Sequence, residues 1–313
     1  MTRILAIVGP TASGKSALAL SLAERLSGEI ISCDSMQVYR RMDIGTAKPT
    51  QEERARIRHH LIDVAEPEES FSAADYVALA SAAVDGCRER GGLPIICGGT
   101  GLYLDALLRG GDLAPDTVDL TVRAELAEYA EQNGADALWR MLLEIDPESA
   151  EATHPNNVKR VARAIEIYRV SGVTKTELDR RSRLTGDRYD ACVIGLRYTD
   201  REALYSRINR RVDMMLDGGL VEETERLMAE GVFEKNVTAA QAIGYKEILP
   251  YLLGRASLDE AAEELKMATR RYAKRQMTWF SAKPYVKWID VDENSEKTFE
   301  EIVNNAEKLF KNS

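Results

Sequence analysis

Eight consecutive residues, Gly9-Pro10-Thr11-Ala12-Ser13-Gly14-Lys15-Ser16, match the pattern G-x-x-x-x-G-K-[ST], a spacing suited to gripping phosphate. Its glycines let the backbone turn so that successive N–H groups face phosphate oxygens, and a helix starting at the loop's end adds the positive partial charge of its N-terminus. Lys15 would neutralise the terminal phosphate, and the Ser16 hydroxyl would ligate Mg²⁺. Such a loop grips any pyrophosphate-like group, including one that departs as a leaving group. An NTPase would show a second apolar strand ending in an Asp for the metal. Here the run Leu93-Pro94-Ile95-Ile96-Cys97 ends in Gly98-Gly99-Thr100-Gly101 instead, which makes chemistry other than ordinary phosphoryl transfer plausible.

The next chemically informative residue is Asp34, directly after the apolar run Glu29-Ile30-Ile31-Ser32-Cys33. In open α/β sheets the carboxyl ends of the strands form the ligand crevice, on the same edge as the phosphate loop. Asp34 is therefore expected to face the bound phosphates. A bare carboxylate repels phosphate, so its placement is costly unless Mg²⁺ or a proton-transfer role justifies it; a strand-end cap is the other reading. Ser35 and Gln37 carry hydrogen-bonding groups suited to a nucleobase edge, though either could simply be solvated.

These groups need a scaffold. The first hundred residues alternate short apolar runs with helical periodicity, the pattern of a parallel sheet with crossover helices. Strands are expected at residues 3–8, 29–33, 60–64 and 94–97, and again at 191–198 and 286–291. Their near-continuous β-branched content suits strands buried on both faces. Between them the pattern turns to long helical stretches. The expected fold class is α/β: a P-loop NTPase-like parallel sheet core flanked by helices, with an all-helical insertion domain. The core is discontinuous, 1–112 and 190–313, and the insertion covers 113–189.

Composition excludes several classes. The chain has 313 residues, 44% hydrophobic and 30% charged, with a formal net charge of −9, which is ordinary for a globular protein and rules out a fibrous or disordered one. The apolar runs are strand-length, far short of the roughly 20 residues a spanning helix needs. The N-terminus passes straight into the Gly-rich loop without a signal-peptide pattern, so no membrane partner and a cytoplasmic location are expected. Four cysteines, Cys33, Cys87, Cys97 and Cys192, form no C-x-x-C pair and read as reduced structural thiols. Three histidines, His59, His60 and His154, allow no recognisable triad or metal helix. Net acidity argues weakly against nucleic acid, but basic residues cluster locally, around Lys159, Arg160 and Arg163, around Arg207, Arg210 and Arg211, and from Lys266 to Arg275.

Taken together and in order, GPTASGKS, DSMQVYR, DIGTAKP, HHLID, GGTGLY, HPNNVKRVARAIE, QAIGYKE and TRRYAKRQMTWF resemble the tRNA dimethylallyltransferases, tRNA isopentenyltransferases of the P-loop fold. The resemblance extends over nearly the whole chain. It implies transfer of a dimethylallyl group from dimethylallyl diphosphate to the exocyclic N6 amine of the adenosine 3′ of the anticodon in tRNA, with release of diphosphate. The phosphate loop, Gly9 to Ser16, then holds a leaving group, with Mg²⁺ on Ser16. The implied catalytic residues are Asp34, as base for the amine proton, Thr100 as a second active-site hydroxyl, and Arg211 as a diphosphate clamp, with Arg207 one helical turn away as the alternative.

The resemblance also implies tRNA contacts from Asp34, Ser35, Met36, Gln37, Thr100, Arg123, Asn157, Lys159, Arg160, Arg163, Gln241, Arg271, Lys274 and Arg275. Positive groups there would contact phosphates and set register without reading sequence. Tyr272 and Trp279, seven residues apart on one helix face, are either a stacking surface or a core stripe, and core is expected for Trp279. The implied partners are the tRNA anticodon stem-loop and dimethylallyl diphosphate, bound by a monomer. Two other readings compete. A P-loop small-molecule kinase or NTP hydrolase would use Asp34 on a substrate hydroxyl, and a non-catalytic RNA-binding module would leave the phosphate loop unexplained.

Overall fold

The computed structural model describes residues 1–109, 119–184, 186–291 and 299–312. In chain order its elements are Thr2–Val8 (β1), Lys15–Leu26 (α1), Gly28–Ser32 (β2), Gln51–Arg56 (α2), His59–His60 (β3), Ala73–Glu89 (α3), Leu93–Cys97 (β4), Gly101–Leu108 (α4), Leu120–Asn133 (α5), Ala135–Ile145 (α6), Pro147–Glu151 (α7), Val158–Ser171 (α8), Lys175–Leu184 (α9), Tyr189–Arg197 (β5), Arg201–Asp217 (α10), Leu220–Ala229 (α11), Val232–Lys235 (α12), Val237–Ala240 (α13), Tyr245–Leu252 (α14), Leu258–Ser281 (α15), Val286–Asp290 (β6) and Phe299–Lys311 (α16).

The described strands form one parallel sheet in the order β3-β2-β4-β1-β5-β6. β1 is central, with Leu5 in register with Ile95 on one side and Cys192 on the other. Ile4, Leu5, Ala6 and Ile7 are all fully buried, because helices cover both faces of a parallel sheet. Burial of each such Leu or Ile contributes about 1.5–3 kcal/mol. On one face α1 sets Leu18, Ala19, Leu22 and Ala23 against the sheet together with Val303, Ala306 and Phe310 of α16. The chain leaves β1 towards β2 on one side and leaves its neighbour β4 towards β5 on the other. A crevice opens at such a divergence, at the carboxyl ends of the strands.

Two compact units divide the chain. One comprises Met1–Phe71, Asp75–Leu107 and Tyr189–Ser313, and the other Ser72–Ala74 and Leu108–Arg188. The expected boundary at 112/113 lies outside the described residues. The second unit is built on α5 to α9 around Leu126, Leu138, Leu142, Ala150, Val161, Ala164 and Ile165, and an isolated bridge joins Arg109 to Asp187. Among the described residues no helix is long and apolar enough to cross a membrane.

One expected strand is corrected. Residues 60–64 do not continue as a strand; β3 ends at His60. Leu61 and Asp63 take left-handed φ values of 60° and 59°, and Asp63 is held there by Lys48 Nζ and Arg54 Nη2, each at 2.6 Å. Two ion pairs thus turn the chain out of the sheet where apolar content alone suggested that it runs on. The remaining strand bounds shift by no more than two residues.

Candidate active site

The phosphate loop leaves β1 at Gly9, whose φ of 136° and approach to β5 admit no side chain: a Cβ there would stand 2.5 Å from the Leu196 carbonyl oxygen. Gly14 caps α1, with its carbonyl accepting from Leu18 N at 3.1 Å. Distant elements fix the loop between these ends. Thr11 N donates to Gln276 Oε1 at 2.8 Å, and Gln276 Nε2 donates to Gly99 O at 3.1 Å, so one buried amide on α15 joins the loops that follow β1 and β4. Arg207 Nε on α10 donates to Ala12 O at 3.0 Å. Lys15 Nζ donates to Pro10 O at 2.6 Å. The Ser13 hydroxyl is buried without a hydrogen-bond partner, as expected of a donor whose acceptor is a ligand.

The ends of β1, β2 and β4 are tied together beside this loop. Cys33 N donates to Cys97 O at 2.8 Å, Thr100 N to Cys33 O at 3.1 Å and Gly98 N to Ile7 O at 3.2 Å. Gly98 lies so near β2 that any Cβ would collide with the Cys33 carbonyl. Asp34 leaves β2 at this junction. Its Oδ1 accepts from Met36 N at 2.9 Å and Gln37 N at 3.3 Å, so it is the strand-end cap that one sequence reading expected, and it also lines the cavity.

That cavity, about 330 Å³, is lined by Lys15, Ser16, Asp34, Arg211, Tyr272 and Arg275 among others, a size in the range of small-molecule sites. A neighbouring recess of about 260 Å³ runs over the outside of the loop and shares Lys15, Ser16 and Arg211 with it, adding Ser13, Arg207 and Arg210. Burial above all, helped by the Arg211 charge and opposed by Cys97 and Asp34, lowers the Lys15 pKa to about 8. Burial likewise lowers that of Arg211 from its ordinary value, against the pull of Asp34. Cys97, in the cavity wall, has its thiol pushed up to about 11 by burial, and Cys33 behind it to about 12. Neither is a thiolate at neutral pH, so the cysteines are not nucleophiles here. The site presents cationic groups and backbone donors to an anion, with one carboxylate beside them.

The remaining residues implied by resemblance fall in several places. Thr100 stands behind the cavity wall: its hydroxyl accepts from Ser35 N at 3.1 Å, and it neighbours the Tyr272 phenol. Ser35, Met36 and Gln241 line the cavity with Arg275, while Arg271 and Lys274 lie exposed along α15. In the second unit Asn157, Lys159 and Arg160 are exposed at the start of α8. Arg123 and Arg163 both reach Glu166, which is 1% exposed, at 3.0 and 2.9 Å.

One candidate contact is hydrogen-bonded within the protein, and one expectation about a side chain is corrected. Gln37 Nε2 donates to the Thr46 and Ala47 carbonyls, at 3.2 and 3.3 Å, and its Oε1 accepts from Ser32 Oγ at 2.9 Å. Trp279 is not core but 37% exposed. Its indole lies over Gly101, where the missing side chain makes room, with Lys283 Nζ 5.2 Å from the ring.

Gln276 and Tyr272 are the site residues that sequence reasoning undervalued. Their signal was present, an amide and a phenol four apart in the basic second half of the helix. Gln276→Leu is expected to leave the Thr11 N–H and the Gly99 carbonyl unpaired at a cost of about 1–3 kcal/mol each. A thermal melt then shows a lower Tm, and the protein binds diphosphate more weakly. An unchanged Tm together with unchanged diphosphate affinity would show that the bridge does not hold the loop.

A model of the IPP transferase family matches residues 37–283. A tRNA dimethylallyltransferase of Acetivibrio thermocellus is 50% identical over 293 residues, which is 94% of this chain and 93% of that protein. One from Geobacter sulfurreducens is 45% identical over 310 residues, 99% and 97% of the two chains. Among solved structures, a tRNA isopentenylpyrophosphate transferase from Bacillus halodurans aligns with a TM-score of 0.72 at 44% identity, covering 100% of this chain and 98% of that one. A eukaryotic dimethylallyltransferase, captured in crystallographic snapshots acting on tRNA, aligns with a TM-score of 0.79 at 30% identity, covering 95% and 75%.

Proposed function

The chain belongs to the IPP transferase family, and from that membership we propose that it transfers a dimethylallyl group from dimethylallyl diphosphate to tRNA. The acceptor is the exocyclic N6 amine of the adenosine 3′ of the anticodon, and diphosphate is released. The observation that carries this reading is a single cavity in which Asp34 faces Lys15, Ser16 and Arg211, a base set beside an anion cradle. A hydrolase or kinase needs a water or a hydroxyl at that carboxylate. An amine acceptor needs only that the carboxylate take a proton as the bond forms.

In the reaction the bond between the allylic C1 and the diphosphate oxygen breaks, the N6–C1 bond forms, and one N6 proton leaves. Negative charge develops on the departing oxygens, where Lys15, Arg211 and the loop N–H groups stabilise it. The adenine amine is a poor nucleophile because its lone pair is delocalised into the ring. The Asp34 oxygen not used in capping the turn accepts its proton, a contribution of ~10²–10⁴-fold. Thr100 acts from behind, holding Ser35 and the Asp34 turn in place. Mg²⁺ is a hard cation that takes oxygen ligands, and the Ser16 hydroxyl, in the cavity lining beside the phosphate loop, is the protein group that would hold it. Bound there it would add charge neutralisation at the leaving group.

The anticodon stem-loop supplies the acceptor. A base in a single-stranded loop is cheaper to splay out than one in a duplex. Exposed Lys159 and Arg160 on α8 and Arg271 and Lys274 on α15 offer charge for its phosphates. The test is incubation with Mg²⁺, unmodified tRNA and either dimethylallyl diphosphate or ATP, followed by mass spectrometry of the nucleosides. A dimethylallyl adduct on adenosine that requires the allylic donor is expected. Phosphate release from ATP without any adduct would overturn the reading in favour of nucleotide chemistry.

The loop lysine predicts a pH profile. With a pKa of about 8, Lys15 is charged below that pH and loses its charge above it. Diphosphate binding favours the charged form, so kcat/KM for the donor, which reports the free enzyme, is expected to level off below about pH 8 and to fall roughly tenfold per pH unit above it. Initial rates across that range at subsaturating donor check this, and a flat profile to pH about 9.5 would show that burial does not lower the Lys15 pKa in this way.

A further inference from the structure

One more carboxylate is buried near the cavity without lining it. Glu223, on α11, is 4% exposed, and a buried charge is costly unless donors surround it. Here the donors are mostly backbone. Oε2 accepts from Asp43 N and Ile44 N, each at 3.0 Å, and Oε1 from Ile44 N at 2.9 Å and Gly45 N at 3.0 Å. The Tyr245 hydroxyl donates to Oε1 at 2.7 Å. Successive N–H groups converging on one point form an anion nest, and in this nest the anion is the protein's own. Tyr245 is fully buried; burial and the Glu223 charge raise its pKa, so the phenol stays a donor. Its ring packs directly on Gly45, where any Cβ would collide with it.

The clamped segment continues into the cavity wall, which Gly45, Thr46 and Ala47 line. The Thr46 and Ala47 carbonyls take both amide hydrogens of Gln37, and Gln37 N donates to Asp34 Oδ1. An unbroken series of hydrogen bonds and backbone therefore links Glu223 to the turn that carries Asp34. The phosphate loop is anchored separately, by Gln276 and Arg207. We infer that Glu223 is a positioning residue for the acceptor side of the cavity: it sets the 43–47 wall, and through Gln37 the Asp34 turn, without contributing to the hold on diphosphate. The inference rests on the prenyl-transfer reading.

The test uses the full chain with Glu223→Gln and Tyr245→Phe. Glutamine leaves one acceptor oxygen where two served and turns its own N–H groups towards backbone donors. Its kcat is expected to fall about 10–100-fold, since small misplacement of a reacting group is costly, while inorganic diphosphate titrates with native affinity. Tyr245→Phe keeps the ring on Gly45 and removes one hydroxyl, so kcat should fall about 3–10-fold, as for loss of one hydrogen bond. Native kcat in both folded variants overturns the inference. So does loss of diphosphate affinity in step with kcat and Tm, which marks general loosening. Should Glu223→Gln fail to fold, native kcat in Tyr245→Phe alone overturns it. Absence of prenyl transfer by the unaltered chain would instead refute the function, which keeps the two failures distinct.

Discussion

Asparagine at position 34 is expected to lower turnover by ~10²–10⁴-fold while tRNA affinity and Tm stay close to those of the unaltered chain. The structure gives the reason for choosing asparagine over alanine. Asp34 Oδ1 caps Met36 N and Gln37 N, and the amide oxygen of asparagine can accept the same two bonds. What asparagine lacks is the capacity to take the amine proton. Alanine would remove the cap as well, so a fall in its activity would mix chemistry with a displaced turn. In free energy the expected loss is about 2.7–5.4 kcal/mol, at 1.36 kcal/mol per tenfold. Single-turnover kinetics at saturating donor, alongside equilibrium tRNA binding, separate the terms. Near-native turnover in Asp34→Asn would show that the proton leaves by another route and that Asp34 serves only as the cap.

Lys15→Ala is the second large effect. The ammonium donates to the Pro10 carbonyl within the loop, which holds it at the cavity wall that the diphosphate would face. In the proposed reaction the same group would meet the charge that grows on the diphosphate as the allylic bond breaks. Removing a donor aimed at developing charge costs about 10²–10³-fold in kcat. Because the interaction strengthens on the way to the transition state, kcat should fall as well as kcat/KM. Affinity for tRNA is expected to be unaltered. A variant in which only the donor KM rises would make Lys15 a binding residue and would leave ionisation to Arg211 and the loop N–H groups. Arginine is a poor substitute, since a planar guanidinium cannot occupy the enclosure of a compact ammonium.

The parts of the site legible in the chain are those whose signal is local. Gly9 to Ser16 announce a phosphate loop because a tight turn between a strand and a helix needs those residues in that order. Asp34 could be placed at the crevice because it follows an apolar strand, and the ends of parallel strands share one edge. The sheet itself was legible because strands covered on both faces carry unbroken apolar runs. Local reading failed where long-range contacts overrule composition. β3 stops at His60 because Lys48 and Arg54 capture Asp63, and Trp279 lies on the surface because Gly101, far away in the chain, offers it a seat.

The division has a physical basis. The chain by itself determined that a phosphate-loop motif and an acidic residue are present, and the order of strands and helices that brings them to one edge, since these depend on residue type and spacing over a few turns. Only the tertiary structure decided which groups are free to act. Gln37 looks like an unattached amide in sequence but is hydrogen-bonded to the Thr46 and Ala47 carbonyls. Gln276 looks like one more surface amide but joins two loops from the far end of the chain. Glu223 has no motif at all and is defined by the three N–H groups it meets. Burial and hydrogen-bond satisfaction are properties of what packs against a side chain, and that partner is seldom near in sequence.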